Sequence, residues 1–296
     1  MADLVPEYFT FTYPRRSSDF CLRAARGPAA VFGVADMIGH RRGLRWRNYM
    51  HVMNRQLGHA LRSEATRDVA TLTDAVREQL MWHSRQIHNF RVTHDKAAFG
   101  FCLAMAALHG SDCRVFWLGD CRAYRVRRGD VDPSSGDRRF EVTCLTHDHN
   151  ALGESVDREG GFTLFQNEMV EQSKRLGAFL GLDNDDRIAG ILRDAVTPVA
   201  LTPDDCLFLM TDGVYMPHLR AQMDAANFRL SRSTYYLETW FQNLLIAADR
   251  RIPAGEANYW PEIGTILVEE TLRHTAKRRQ YLDDMAVTGV YLVPAA

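Results

Sequence analysis

The sequence predicts a layered α+β fold, and three observations carry that expectation. Apolar and β-branched runs bounded by turn residues recur along the chain. Long stretches of helical periodicity stand in groups between them, not in the strict βαβ alternation of a parallel sheet. Of the 296 residues, 46% are apolar and 25% charged, ordinary for a soluble globular chain that buries a sizeable core without covalent staples.

Residues 8–13 and 19–24 are expected strands, each a short apolar and aromatic run. Gly27-Pro28-Ala29-Ala30 leads into a third at 31–35. Residues 45–62 and 66–90 place apolar side chains three and four apart without proline, the signature of two helices. Strand character returns in the apolar run 98–108, which Gly110-Ser111-Asp112 ends, and in 115–118 and 123–126 about Gly119-Asp120-Cys121-Arg122. Arg128-Gly129-Asp130 is a further turn, and 140–145 another strand. Residues 147–175, with Gly160-Gly161, read as an irregular surface excursion. Strands at 199–201 and 206–211 flank a Thr202-Pro203-Asp204-Asp205 turn. Helices are expected at 233–249 and 261–278, and a strand at 285–293. The intervening 250–262 reads as an ordered surface loop, with partner contact as the alternative. With no repeat and no low-complexity linker, 1–296 is expected to form one domain.

Charge and cysteine usage exclude several classes. Thirty-six basic and 37 acidic residues leave a net charge of −1, so no global field draws nucleic acid or an anionic membrane. The arginines at 41, 42, 45 and 47, and at 122, 125, 127 and 128, read as solvated faces. Six cysteines without a CxxC pair suit a reducing, cytoplasmic setting and small core residues. No secretory signal and no membrane-length apolar stretch is visible. Nucleotide-binding glycine loops, HExxH and G-x-S-x-G are absent from the sequence. His147 and His149 would share one face of a strand and so suit zinc, but lack an evident third ligand. Cys121 and Arg127 have the C-x5-R spacing of cysteine phosphatases without the glycines of a phosphate-cradling loop.

Three aspartates share a setting. Asp36 follows VFGVA, Asp212 follows CLFLMT, and Asp283, with Asp284 beside it, precedes MAVTGVYLV. Asp120, in WLGDCR, is placed similarly. A carboxylate at the end of a buried strand is costly unless something compensates it, and a divalent cation is a natural compensator. The plainer alternative is an aspartate serving each turn.

Five segments in order resemble the metal-dependent type 2C serine/threonine protein phosphatases. VFGVADMIGH is similar to that family's strand followed by Asp-Gly-x-Gly-Gly, and VFWLGDCRAYRVRRGD to its V-G-D-S-R-x-Y stretch. LTHDHN resembles L-T-x-D-H, LTPDDCLFLMTDGVY the strand ending in S/T-D-G, and LDDMAVTGVYLV the closing D-N/D-M/I-T/A-V strand. The resemblance implies a four-layer αββα sandwich, two antiparallel β-sheets flanked by helix pairs. It also implies two Mg²⁺ or Mn²⁺ ions at one edge. Asp36 takes the position of the bridging carboxylate, and Asp212 and Asp283 those of the other direct ligands. The backbone carbonyl of Met37 completes that set, and Asp120 matches the position of an additional, weaker ion. The implied reaction is hydrolysis of phosphoserine or phosphothreonine on a protein substrate by metal-activated water.

The chain departs from the pattern at several positions. Met37 and His40 replace glycines, and the Met37 side chain is expected to crowd the site. Ile38 stands where some members carry a proton-donating histidine; His40 either substitutes for it or is a solvated loop residue. PRRSSDF stands for Arg-x-x-N-E-D: Asp19 matches the aspartate, Ser18 replaces the glutamate, and Arg15 or Arg16 is the phosphate-binding candidate. KAAFGFCLAM replaces a Gly-Ser/Thr-Thr segment. A weakened enzyme, or a pseudophosphatase that binds a phosphoprotein or scaffolds a kinase, is therefore the rival reading. Oligomeric state is not legible in the sequence.

Overall fold

The structure is a computed structural model, and it describes residues 4–13, 19–38, 44–61, 67–93, 100–159, 161–163, 176–182, 185–194, 196–225, 229–253, 256, 258–278 and 283–294. Arg15, Arg16, Ser18 and His40 lie outside the described residues.

Central strands of this chain are apolar on both faces, and that forces covering layers on both sides. In β4 (Gly100–His109), Phe101, Leu103, Met105 and Ala107 point one way, and Cys102, Ala104, Ala106 and Leu108 the other. The same alternation splits β3 (Ala29–Ile38), β10 (Asp205–Met210) and β12 (Met285–Pro294). The strands assemble into two antiparallel five-stranded sheets. One has the order β1-β12-β10-β6-β7, with β1 (Leu4–Tyr13), β6 (Arg122–Val131) and β7 (Arg138–Cys144). The other has the order β2-β3-β4-β5-β9, with β2 (Phe20–Arg26), β5 (Asp112–Leu118) and β9 (Val196–Ala200).

Three apolar cores follow. Phe32, Val34, Ala104, Leu207, Leu209 and Val290 fill the space between the sheets. Helices α1 (Leu44–Ala60) and α2 (Val69–Thr93) cover the outer face of the second sheet through Met53, Leu57, Leu72 and Leu80. On the first sheet, α5 (Asp212–Ala225), α7 (Glu238–Asp249) and α8 (Tyr259–Arg278) bring Tyr215, Phe241, Leu245 and Ile263 down on Phe208 and Val287. The result is the αββα sandwich that the resemblance implied. Gly289 and Gly264 both face the Phe9 ring, and a Cβ on either would overlap it, so these glycines set how closely α8 approaches the sheet.

Several sequence expectations are corrected. Part of the supposed excursion at 147–175 is helix α3 (Ala151–Glu159), capped where the Asn150 side chain accepts from the Gly153 amide at 2.7 Å. It leads into β8 (Gly161–Thr163), which pairs with β11 (Arg229–Ser231) as a small ribbon. Helix α4 (Asp185–Asp194) packs against α2 and β5, and with α5 it went unread in the sequence. The helix expected at 233–249 is two: Leu237, in the left-handed region at φ 56°, separates α6 (Arg232–Tyr235) from α7. Within 250–262, Tyr259 and Trp260 already belong to α8, and Trp260 is buried against Phe208, so it serves the core.

Candidate metal centre

Antiparallel pairing brings distant chain segments to one end of the sandwich. Asp36 lies at the carboxyl end of β3, and Asp120 just beyond that of β5. Asp19 precedes β2, which runs antiparallel to β3, so it returns to the same end. In the other sheet Asp212 follows β10 and opens α5, while Asp283 and Asp284 precede the antiparallel β12. Thr211 fastens the last two segments together. Its amide donates to the Ala286 carbonyl at 3.1 Å, and its hydroxyl accepts from the Ala286 amide at 2.9 Å. The Asp212-Gly213 step fits against Asp284 only without a side chain, because a Cβ on Gly213 would overlap the Asp284 carbonyl oxygen.

The carboxyls feel one another strongly. Burial raises the pKa of Asp36 well above the usual range, and the charges of Asp19, Asp120 and Asp283 push the same way. Asp212 is raised well above that range by burial and by the charges of Asp36, Asp120 and Asp283. Burial lifts Asp19 from 3.8 to about 8 against an opposing hydrogen bond with Asp36, and the Asp212 charge adds to the rise. Asp120 rises to about 6, through burial and then the nearby Asp148 charge. Clustered carboxylates that resist ionisation in a desolvated site lack a compensating positive charge, and their oxygens are the donor set that hard divalent cations take. The residues present therefore fit a divalent cation.

A pH dependence follows. Folded, Asp19 keeps its proton up to about pH 8, whereas unfolded it releases it near 3.8. Between those values the unfolded chain binds fewer protons, so stability falls as pH rises. With chelator present, the melting temperature is expected to drop between about pH 5 and about pH 8, and millimolar Mn²⁺ is expected to offset the drop. A flat profile in chelator would rule out the raised pKa of Asp19.

The structure moves Met37 out of contention as an obstruction. Strand alternation turns its side chain to the opposite face from Asp36, against the layer beneath α1 and α2, and its φ is not in the left-handed region. Arg122 is no solvated arginine; its side chain is fully buried beneath this end of the fold. Its guanidinium meets Asp148 in two bonds, Nε to Oδ1 at 3.0 Å and Nη2 to Oδ2 at 2.8 Å. The Tyr215 ring covers it at 3.9 Å, and the Tyr215 hydroxyl donates to the Asp120 carbonyl at 2.7 Å. Arg125 and Arg127 both bond the buried Asp205 carboxylate, and Arg128 meets Asp204.

His147 and His149 do not share a strand face. His147 meets Asp157 at 3.0 Å, and His149 stacks on Trp117 while its Nδ1 accepts from the Gly119 amide at 3.2 Å. Cys121 is buried, and burial together with the Asp36 charge holds its thiol well above the ordinary range, the reverse of a nucleophilic cysteine. Sequence reasoning missed Cys102. It stands directly across from Asp36 in the β3–β4 pair, a neighbour that only strand register reveals.

The architecture matches solved phosphatases along essentially its full length. A serine/threonine phosphatase of S. agalactiae superimposes with a TM-score of 0.63 at 17% identity, over 97% of this chain and 99% of that one. The serine-threonine phosphatase 2C of Toxoplasma gondii gives 0.58 at 18%, over 98% and 95%. This chain has the type 2C phosphatase fold. The catalytic domain of the serine threonine protein phosphatase PstP, solved in complex with two manganese ions, gives 0.56 at 18%, over 98% and 99%. No protein-family model matches the chain, and no curated protein matches it by sequence. At such identities the type 2C likeness speaks for the fold, and the chemistry has to be argued from this chain's own carboxyls. No helix among the described residues is long and apolar enough to cross a membrane.

Proposed function

We propose that this chain, as one catalytic unit, hydrolyses phosphoserine or phosphothreonine on proteins with the help of Mg²⁺ or Mn²⁺. The observation that carries the reading is the convergence of Asp36, Asp120, Asp212 and Asp283, from both sheets, into one cluster of mutually interacting carboxyls. Asp36, Asp212, Asp283 and the Met37 carbonyl would hold two ions, and Asp120 would help hold a third. The two manganese ions of the PstP catalytic domain support that count. When bound, the ions supply a water of lowered pKa and offset charge on the phosphoryl oxygens.

The protein residues do the rest. Asp212, as the first residue of α5, adds the positive end of the helix dipole to the site. The Thr211–Ala286 bonds fix the spacing of the Asp212 and Asp283 segments. The Tyr215 hydroxyl anchors the turn that carries Asp120. Arg15 or Arg16 would steer the phosphoryl group from the segment before β2.

The test is hydrolysis of para-nitrophenyl phosphate and of a phosphothreonine peptide, with Mn²⁺ and with chelator. Manganese-dependent turnover of both is the expected result. Saturable peptide binding without turnover at millimolar Mn²⁺ would replace the enzyme with a phosphoprotein-binding module.

A further inference from the structure

We propose that Cys102 is a metal ligand, and that Asp36, Cys102 and Asp120 form a mixed thiolate–carboxylate position selecting a Zn²⁺-like ion over Mg²⁺. This rests on reading the carboxylate cluster as a metal centre, and it names which cation one part of that centre takes.

Register creates the position. Asp36 and Cys102 are directly opposed in the antiparallel β3–β4 pair, so their side chains leave the same face of the sheet, toward the space between the sheets. The turn after β5 brings Asp120 to the same point. One ligand atom from each of Asp36, Cys102 and Asp120 lies within 4.8 Å of the other two. A sulfur about 2.3 Å and oxygens about 2.0–2.2 Å from one ion fall within that spread.

The thiol is built into the site. Cys102 is fully buried. Gly119, with φ 86°, leaves room for it, since a Cβ there would overlap the Cys102 sulfur. The Cys102 sulfur and an Asp120 carboxyl oxygen lie within 4.8 Å of each other. A divalent cation at this point would replace the thiol proton, which leaves to solvent, and its charge would answer both carboxylates. Thiolate ligands favour Zn²⁺ and Co²⁺, whereas Mg²⁺ requires oxygen donors and retains its waters. Cys121, a second buried thiol that interacts with Asp36 and Asp120, provides the internal control.

The test is a Co²⁺ titration of the full chain followed by absorbance. Wild type and Cys121→Ser are expected to develop a near-ultraviolet thiolate-to-cobalt charge-transfer band that excess Mg²⁺ does not remove. Cys102→Ser is expected to lack the band and to bind Co²⁺ more weakly than wild type. The wild-type band and its persistence in Cys121→Ser together decide the matter even where Cys102→Ser folds poorly. Saturable Co²⁺ binding without the band in wild type would overturn the thiolate ligand and leave the phosphatase reading standing. A band that survives Cys102→Ser would overturn the assignment to Cys102. Absence of saturable Co²⁺ binding would overturn the proposal and the metal centre together.

Discussion

Asp212→Asn is expected to lower manganese-dependent turnover by about a thousandfold or more, while making the metal-free protein more stable. The two effects have one origin. In the chelated protein Asp212 sits desolvated among the charges of Asp36, Asp120 and Asp283, and burial with that crowding drives its pKa well upward. An amide of the same shape removes a repelling charge, so the unfolding midpoint in chelator at about pH 8 should rise. The same change removes an anionic donor. Metal stabilisation of a developing charge is worth several kcal/mol, and each 1.36 kcal/mol is about tenfold in rate. Turnover and melting temperature, measured on one preparation with and without Mn²⁺, separate this account from simple misfolding. A variant that is both inactive and less stable in chelator would contradict it.

Asp148→Ala is expected to cost about 3–5 kcal/mol, because it leaves the Arg122 guanidinium buried without its counter-charge. Against a total stability of about 5–15 kcal/mol, that is a large share. The remaining partners do not replace a carboxylate. Nη1 donates to the Tyr235 carbonyl at 2.9 Å, and the rings of Tyr215, Tyr235 and Tyr236 surround the cation at 3.9, 4.7 and 5.1 Å. Tyr235 also loses the shorter of its two hydroxyl acceptors, Asp148 Oδ2 at 2.6 Å, and keeps only Asn150 Oδ1 at 3.4 Å. Combining the change with Arg122→Met should recover much of the loss, since an apolar pair leaves no buried charge. Denaturant titration of the two single variants and the double reads both numbers. A single-variant loss under about 1 kcal/mol would mean that water reaches the guanidinium.

The layering was legible because the central strands are apolar on both faces. Runs such as those of β4, β10 and β12 admit few other placements once two sheets must pack. Helix α5 was hidden for a physical reason. It starts two residues after a buried strand, contains Pro217, and buries Gly213, Val214, Tyr215, Pro217, His218, Leu219 and Met223 around its girth, so no narrow amphipathic stripe marks it. Helix α3 is short and mostly polar, and only its Asn150 cap and the Leu152–Val156 pair one turn apart mark it in the sequence. Asp36, Asp212 and Asp283 stood out by their places at strand ends. Cys102 could not, because its partner Asp36 is a neighbour across strands and not along the chain. Arg122 looked solvated for the same reason: the run around it shows its charge, while Asp148 lies on another segment.

Gly213 bears on how sequence variants of this chain are to be interpreted. Any larger residue would collide with the Asp284 carbonyl, so glycine is required wherever the start of α5 touches the lead-in to β12. That demand is steric and indifferent to chemistry. A descendant that had ceased to hydrolyse anything would still be held to glycine here for as long as it folded. Retention of the Asp-Gly pair as a unit is thus a poor marker of an active lineage. Exchange of Asp212 alone, beside an unchanged Gly213, is the pattern that would mark a chain keeping its shape after giving up its reaction.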